Sequence, residues 1–268
     1  MFDVSIRKVL YLYLSDNEAA YCIRTLSDGT AWIGTGNQSV KLVNKDGAVI
    51  REHRLDFYPY NIAVTDDGNL LLSKGNSIQK ISSDGKVSEF FSSKSHFVQG
   101  LCSSRKGEIL VCLTRKENGK IVKLSPGGTV SHEIEFDHKG SNLFVNPTKI
   151  AENPVTGDIC IEDSSQCSII VVSSHGEHLF TYKGKTGDTF TPFYITCDMH
   201  GHILIGDNSH FRIHLLNGRG EFIQYLLSQE DGLFSPWGMD ERDGQLWVGT
   251  LSGKIWLIEY VIQNDCNY

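Results

Sequence analysis

The sequence predicts an all-β fold, a six-bladed β-propeller built from four-stranded antiparallel blades. The first observation behind this prediction is a repeat with a period near 40 residues, and the second is that glycine turns separate short apolar segments throughout the chain. The third is that the last repeat lacks one strand, while an unassigned apolar segment stands near the beginning of the chain. Together they indicate a closed ring of similar units.

A glycine turn followed by a short apolar strand marks the repeat. It occurs six times, with its glycines 39 to 50 residues apart, at Gly29, Gly68, Gly107, Gly157, Gly201 and Gly244. Each unit is predicted to contain four strands. The first has alternating apolar residues, the second follows the glycine turn, the third follows a polar loop, and the fourth follows a second glycine turn. Glycine adopts positive φ without a steric cost, so turns such as Asp46-Gly47 are suited to tight hairpins.

The units divide the chain, as one domain spanning 1–268, into six predicted blades. Their approximate bounds are 20–55, 59–91, 97–136, 147–183, 192–227 and 236–260. The sixth unit supplies only three strands, and the segment 5–14 has the apolar character of a fourth. We therefore expect this N-terminal segment to complete the last blade, because such a closure removes exposed sheet edges at the seam.

Composition and charge restrict the possible functions. Lys and Arg number 25 against 32 Asp and Glu, a net charge of −7 that is unfavourable for DNA and for indiscriminate RNA binding. The apolar run Val9–Leu14 is too short for a membrane span. Seven cysteines form no C-x-x-C pair, which favours reduced thiols in the cytoplasm. A bond between Cys160 and Cys167, across one hairpin, stays open.

Strand order assigns the connections to two faces of the ring. The glycine turns, between strands one and two and between strands three and four, lie on what we call the short-turn face. The irregular connections between strands two and three and between consecutive blades lie on the opposite, long-loop face. Since variable loops on a rigid scaffold commonly carry binding residues, recognition is predicted on the long-loop face, around the channel entrance.

Aromatic and polar residues of this face are the predicted partner-binding site. The candidates are Tyr58, Tyr60, Asn61, Phe97, Gln99, Lys149, Phe193, Tyr194, Arg212 and Trp237. Aromatic side chains are favoured at protein interfaces, so a protein is the first partner expected. Aromatic and basic side chains together would also suit single-stranded RNA, which is kept as an alternative.

Blades four and five resemble NHL repeats. In blade five Asp207 follows the second strand, and His210 and Arg212 precede the third; blade four keeps Asp163 but has Ser168 where arginine is usual. The continuation at 179–184 is similar to the propellers of tripartite-motif (TRIM) ubiquitin ligases. This resemblance implies a non-catalytic module that recruits substrate proteins, with ligase activity in a RING domain that these residues lack. From the residues themselves, an Asp207–Arg212 bond that pins a loop is expected.

No catalytic motif stands out, and no cofactor is expected. The chain lacks a G-x-S-x-G elbow, a Walker loop and the usual zinc spacings. The remaining alternative is a metal-dependent propeller hydrolase or lyase, which requires three or four acidic, amide or histidine ligands to converge from different blades. The residues placed for such a site are Asn61, Gln99, Asp207, His210 and Asp240.

Overall fold

A computed structural model describes residues 2–14, 18–185 and 187–264 of the chain. These residues form six four-stranded antiparallel sheets, which confirms the predicted fold class. The first strands of consecutive blades contact one another, and the first strand of blade one also contacts that of blade six. The sheets are therefore arranged as a closed ring around a central channel.

The 24 strands follow the blades in chain order. Blades one and two comprise β2 (Ala20–Thr25), β3 (Ala31–Thr35), β4 (Ser39–Val43), β5 (Val49–Arg54), β6 (Ile62–Val64), β7 (Leu70–Lys74), β8 (Ser77–Ile81) and β9 (Val87–Ser92). Blades three and four comprise β10 (Phe97–Ser103), β11 (Ile109–Arg115), β12 (Asn118–Leu124), β13 (Val130–Ile134), β14 (Pro147–Glu152), β15 (Ile159–Asp163), β16 (Ser168–Val172) and β17 (His178–Tyr182). Blade five and the chain's own part of blade six comprise β18 (Pro192–Cys197), β19 (Ile203–Asp207), β20 (Arg212–Leu216), β21 (Phe222–Leu227), β22 (Pro236–Arg242), β23 (Gln245–Thr250) and β24 (Lys254–Asn264).

The predicted closure of the ring is present. Strand β1 (Phe2–Tyr13) pairs antiparallel with β24, with Tyr11 opposite Trp256 and a register irregularity between Ile6 and Lys8. The Tyr11 and Trp256 rings meet edge to face at 4.7 Å between centroids, and the ammonium of Lys254 lies 3.8 Å from the Tyr11 ring centroid. The beginning of the chain thus supplies the outer strand of blade six.

The hydrophobic core lies between neighbouring blades. One cluster joins blades three and four, the next joins blades four and five, and a third joins blade six to blade one through Leu12, Leu14 and Ile23. Every residue of the second strand β3 is buried, whereas the outer strand β5 is mostly exposed. Since the blades bury both faces of their inner strands, these strands read as continuous apolar runs rather than alternating ones.

Glycine permits the close approach of blades at the seam. A Cβ atom added to Gly249 in β23 would lie 2.6 Å from the Cβ of Ala20, and one added to Gly238 in β22 would lie 3.0 Å from the Cα of Cys22. Any larger side chain at either position would push blade six away from blade one.

The described residues contain very little helical structure. In the described ranges it is limited to a 3-10 turn, Gln229–Asp231, capped by Ser228 in the connection that leads to β22. Within those ranges, no helix has the length and apolar character that crossing a bilayer requires.

Leu12→Ala tests the energetics of the seam. Leu12 is buried in the cluster between blades six and one, so we expect the substitution to lower the free energy of unfolding by about 2–4 kcal/mol. Leu10, in the same strand, is 38% exposed, and Leu10→Ala should cost less than about 1 kcal/mol. Urea unfolding of both variants measures the difference; equal losses would show that the seam contributes no specific packing.

Candidate functional site

Two cationic side chains extend into the central channel from its wall. Arg24 comes from β2 in blade one, near the short-turn face, and Lys149 comes from β14 in blade four, near the long-loop face. Both reach groups on other blades, so each lies across the channel rather than along it. The channel therefore has a guanidinium near its short-turn end and an ammonium near its long-loop end.

Arg24 is held by three other blades. Its guanidinium donates to the Asp240 carboxylate in blade six at 3.0 Å, and lies 3.5 Å from the backbone carbonyls of Ile62 and Leu101 in blades two and three. Its Nε is buried without a hydrogen-bond partner. Burial works against the charge, but the Asp240 carboxylate keeps the pKa of Arg24 above its ordinary value. A permanent positive charge is thus fixed in the channel.

Asp240 is the anchor of this arrangement. Besides Arg24, its carboxylate accepts hydrogen bonds from the backbone N–H of Thr25 at 2.7 Å and from the Thr25 hydroxyl at 2.6 Å. Thr196 of blade five donates to it more weakly, at 3.4 Å. The side chains of blades one, five and six are joined at this one carboxylate.

A cavity of about 250 Å³ opens at the short-turn end of the channel. We call it the lower-mouth pocket, and Arg24, Glu152, Thr196, Asp240 and Glu241 are among its lining residues. These positions stand at the ends of first strands, just before the glycine turns. The lining residues come from five of the six blades, all except blade two, and they converge on one opening although they are far apart in sequence.

Glu241 is a titratable group of this pocket with a strongly raised pKa. Only 8% of the residue is exposed, and one carboxyl oxygen accepts the Gly244 N–H at 2.7 Å. Burial, aided by the carboxylates of Asp198 and Asp240 and opposed by the Gly244 bond, raises the pKa of Glu241 to about 8. This carboxyl can take up and release a proton near neutral pH, which is the property of an efficient general acid or base.

The same pocket holds a second perturbed carboxyl. Glu152, at the end of β14, accepts the backbone N–H of Arg105 at 2.6 Å, and burial raises the pKa of Glu152. In the same pocket, the fixed guanidinium of Arg24 can stabilise negative charge that develops on a reacting oxygen, while a carboxyl moves a proton. The pocket therefore carries the elements of acid–base chemistry at a carbonyl or ester group.

The long-loop end of the channel is ringed by aromatic side chains. Tyr60 stacks on Tyr21 at 6.3 Å between centroids, Tyr21 meets Trp237 at 6.2 Å, and Trp237 meets Phe193 at 4.1 Å. The Lys149 ammonium lies beneath this collar, donates to the Tyr60 carbonyl at 3.1 Å and approaches the Phe193 ring. Burial lowers the pKa of Lys149.

The structure brings part of the predicted partner-binding site together. Tyr60, Phe193, Trp237 and Lys149 belong to the aromatic collar, and Tyr194 is buried below it, with its ring centroid 5.1 Å from the Lys149 ammonium. The others are placed as follows: Tyr58 and Phe97 are exposed, Asn61 is buried and Gln99 is half-buried on β10, and Arg212 lies farther out, on the third strand of blade five. Binding of a protein or of RNA through this face stays a prediction.

The channel residues do not fit a divalent cation. Of the proposed ligands, Asp240 is engaged by Arg24, while Asp207 and His210 hydrogen-bond to each other in blade five at 3.3 Å. Over the described ranges, no group of three or more His, Cys, Asp or Glu side chains could hold a metal ion. Arg24 and Lys149 place positive charge where a metal ion would have to bind, so the ligand set required by the metal-dependent alternative is not present there.

The predicted bond between Asp207 and Arg212 is present, and its role is structural. Asp207 accepts from the Arg212 Nε at 3.2 Å, from His214 at 3.4 Å and from the backbone N–H of Thr191 at 3.1 Å. In blade four Asp163 likewise accepts the Val145 N–H at 2.7 Å, without an arginine partner. The motif fastens the incoming loop to its blade, so its role in this chain is to hold the blade together.

The cysteines are free thiols in the part of the chain that the structure describes. Cys160 lies not against Cys167 but 3.8 Å from the Cys197 sulfur, across the interface of blades four and five. Cys167 is exposed, and its thiol is directed at the Ser164 carbonyl. Cys266 lies outside the described residues.

Arg24, Glu152 and Glu241 are absent from the site predicted from the sequence. A signal for them exists: Arg24 interrupts the apolar strand Tyr21–Leu26, and the run Asp240-Glu241-Arg242 places three charges at the end of an inner strand. In a blade whose first strand faces the channel, a charge in that strand marks a position on the channel wall. Only the ring geometry shows that these separate positions meet.

Comparison with solved structures confirms the propeller fold. No protein-family model matches the sequence, and no curated protein is similar to it. Virginiamycin B lyase from Staphylococcus aureus superposes with a TM-score of 0.69 at 16% identity, covering 97% of this chain and 99% of the lyase. A gluconolactonase from Xanthomonas campestris gives 0.73 at 12%, covering 96% and 91%, and the calcium-binding protein regucalcin from Agrobacterium tumefaciens gives 0.68 at 13%, covering 92% and 94%.

These neighbours correct the expectation drawn from the NHL resemblance. The expectation of a non-catalytic, substrate-recruiting module of a TRIM-like ubiquitin ligase is wrong, and so is the expectation that the chain is not an enzyme. The neighbours are lyase and gluconolactonase propellers rather than TRIM domains. The physical reason for the error is that the Asp207–Arg212 pair reports how a blade is fastened, not what the propeller does.

Asp240→Ala tests the anchor of the channel. The substitution leaves the Arg24 guanidinium and the Thr25 N–H without their acceptor, so we expect a loss of about 3–5 kcal/mol in the free energy of unfolding. Asp66→Ala, at an exposed turn position, is the matched control and should change stability by less than about 0.5 kcal/mol. Urea denaturation decides; similar small effects for both would show that the anchor contributes little.

Asp207→Asn should make stability less sensitive to acid. Although burial opposes it, hydrogen bonds from His214 and from backbone N–H groups keep the pKa of Asp207 well below its ordinary value. A lowered pKa in the folded state stabilises the fold above the unfolded-state value of about 4, and this contribution is lost as the pH falls below it. The variant should therefore lose about 2 kcal/mol at pH 7 and a smaller amount at about pH 3.

Unfolding titrations of the wild type and Asp207→Asn at both pH values measure this difference, with the exposed Asp46→Asn as control. A gap between wild type and variant that stays constant down to the acid limit would contradict the assigned role of Asp207.

Proposed function

We propose that the chain is a β-propeller hydrolase or lyase that cleaves an ester or lactone C–O bond in the lower-mouth pocket. The observation that carries this proposal is that Arg24 and Glu241 line one cavity of about 250 Å³ at the end of the channel. One is a permanent cation, and the other is a carboxyl whose pKa is raised to about 8. Their combination suits a reaction in which a proton moves and charge develops on oxygen.

Glu241 would act as the general base and then as the general acid. In hydrolysis, its carboxylate removes a proton from the water that attacks the carbonyl carbon. When the C–O bond breaks, the same proton passes from Glu241 to the leaving oxygen. In elimination, the carboxylate instead removes a proton from the carbon next to the one that bears the leaving oxygen, and the electrons of that C–H bond form the double bond. The C–O bond breaks with its electron pair on oxygen, and the proton passes from Glu241 to that oxygen. Both routes restore the carboxylate.

Arg24 would stabilise the oxygen on which negative charge develops. Asp240 and two backbone carbonyls fix the guanidinium, so it does not need to reorganise when that charge appears. Groups fixed before the reaction contribute more to rate than mobile ones, and one oxyanion donor contributes about 10²–10³-fold in known hydrolases. The guanidinium would take the electrostatic role that a cation plays in metal-dependent enzymes.

The fold comparison supports the same class of reaction. Solved propellers that superpose over nearly the whole chain include a lyase that acts on virginiamycin B and a gluconolactonase. The regucalcin neighbour is a calcium-binding protein, but the channel residues described here do not fit a cation. The proposed reaction therefore needs no step at a metal.

Glu241→Gln is the direct test of the proposed function. We expect turnover of esters or lactones, assayed over a panel of both, to fall about 10²–10⁴-fold, because the amide cannot exchange the proton. Activity of the wild type should rise with pH between 6 and 9 through an inflection near 8, since the base is the ionised form. Glu117→Gln, at an exposed position of the opposite face, is the control.

Arg24→Lys separates the role of the guanidinium from that of its charge. The lysine keeps the charge beside Asp240 but loses the planar fork, so kcat should fall while the fold is retained, as circular dichroism and urea unfolding would show.

Unchanged turnover in Glu241→Gln, or a pH profile without the inflection, would overturn the assignment of the active site.

A further inference from the structure

A larger groove adjoins the lower-mouth pocket on the short-turn face. It has a volume of about 590 Å³ and runs between blades three and four. Arg105 and Glu152 line both the groove and the pocket, so the two spaces meet at these residues. A molecule whose reacting bond lies in the pocket can extend into the groove without crossing a blade.

The groove is basic on a protein that is acidic overall. The chain carries a net charge of −7, yet Arg105, Lys106 and Lys123 line the groove against the carboxyls of Glu108 and Glu152. Burial raises the pKa of Glu152, so its charged form is less favoured than that of an exposed carboxyl. His132 and His175 line the same space and add hydrogen-bond donors.

Two of these cations are positioned by the protein itself. The Arg105 guanidinium donates to the Pro154 carbonyl, and the Lys123 ammonium donates to the Ser174 carbonyl at 2.5 Å. Among the described residues, neither side chain lies within 4.0 Å of a carboxylate as an ion pair. Their positive charges are therefore held in the groove wall by neutral carbonyl groups and remain available to an anion.

We propose that this groove binds an anionic group, a phosphate or a carboxylate, on the part of the substrate remote from the bond that is cleaved. The inference rests on the proposed function and specifies its substrate class: an ester or lactone with an acidic extension. Arg105, at the junction of groove and pocket, would contact the anion nearest the reacting bond. Lys106 and Lys123 would contact the more distant oxygens.

Titration calorimetry with inorganic pyrophosphate and with citrate tests the groove directly. The Lys106→Glu variant changes an exposed side chain, so it should fold normally and weaken binding of the anion about fivefold or more. Lys139→Glu makes the same charge change at an exposed position on the long-loop face and should shift affinity less than about twofold. Raising the salt concentration from about 50 to about 250 mM should weaken binding several-fold, because the contacts are partly exposed.

The two anions distinguish the source of the charge. Tighter binding of pyrophosphate assigns a phosphorylated substrate, and tighter binding of citrate assigns a carboxylated one. Absence of saturable binding of either anion at millimolar concentration, or an equal effect of Lys106→Glu and Lys139→Glu, would overturn the inference.

The titration is repeated on Glu241→Gln so that the two proposals fail separately. Anion binding should survive this substitution, because Glu241 lines the pocket and not the groove. With an ester that is turned over, Lys106→Glu should raise KM and leave kcat within about twofold. If instead kcat fell and KM stayed constant, the groove would not bind the substrate's remote group, whatever the outcome for Glu241.

Discussion

The pairing of β1 with β24 is the constraint on which the rest of the structure depends. A ring of sheets has no free edges only when its last blade is complete, and here the last blade takes its outer strand from the beginning of the chain. The seam fixes how closely blade six approaches blade one. That distance in turn sets Asp240 of blade six within 3.0 Å of Arg24 of blade one. The geometry of the channel is therefore a consequence of the closure.

Charge placed across the channel is the second organising feature. A propeller channel lined by acidic side chains would attract a cation, whereas this one holds a guanidinium near one end and a buried ammonium near the other. The short-turn end has a cavity and two carboxyls with raised pKa values, and the long-loop end has an aromatic collar. Residues near the starts of the first strands form the long-loop end, and residues at their last positions form the short-turn end, so the two ends differ in residue type although the backbone scaffold repeats.

The sequence contains most of the fold but little of the site. Blade number, strand order and closure follow from local patterns, because the period, the glycine turns and the missing strand of the last unit are each visible along the chain. The pocket could not be predicted in the same way: Arg24 and Asp240 are 216 residues apart, and only the ring brings them together. The Asp207–Arg212 pair is the reverse case: the motif is conspicuous in the sequence and suggested a function, but in the structure it fastens a loop.

The state of Glu241 links stability to the proposed reaction. Burying an ionised carboxyl without a cationic partner is costly, and a raised pKa lets the group reduce that cost by remaining protonated near neutral pH. Asp240, one residue earlier, is held by Arg24 and by Thr25, so the available cation is already engaged. The fold thus uses the Asp240 carboxyl as a hydrogen-bonded anchor and leaves the neighbouring Glu241 to exchange protons. The strand end Asp240-Glu241 therefore separates structural support from acid–base chemistry with two consecutive residues: Arg24 and Thr25 hold the first, and burial raises the pKa of the second.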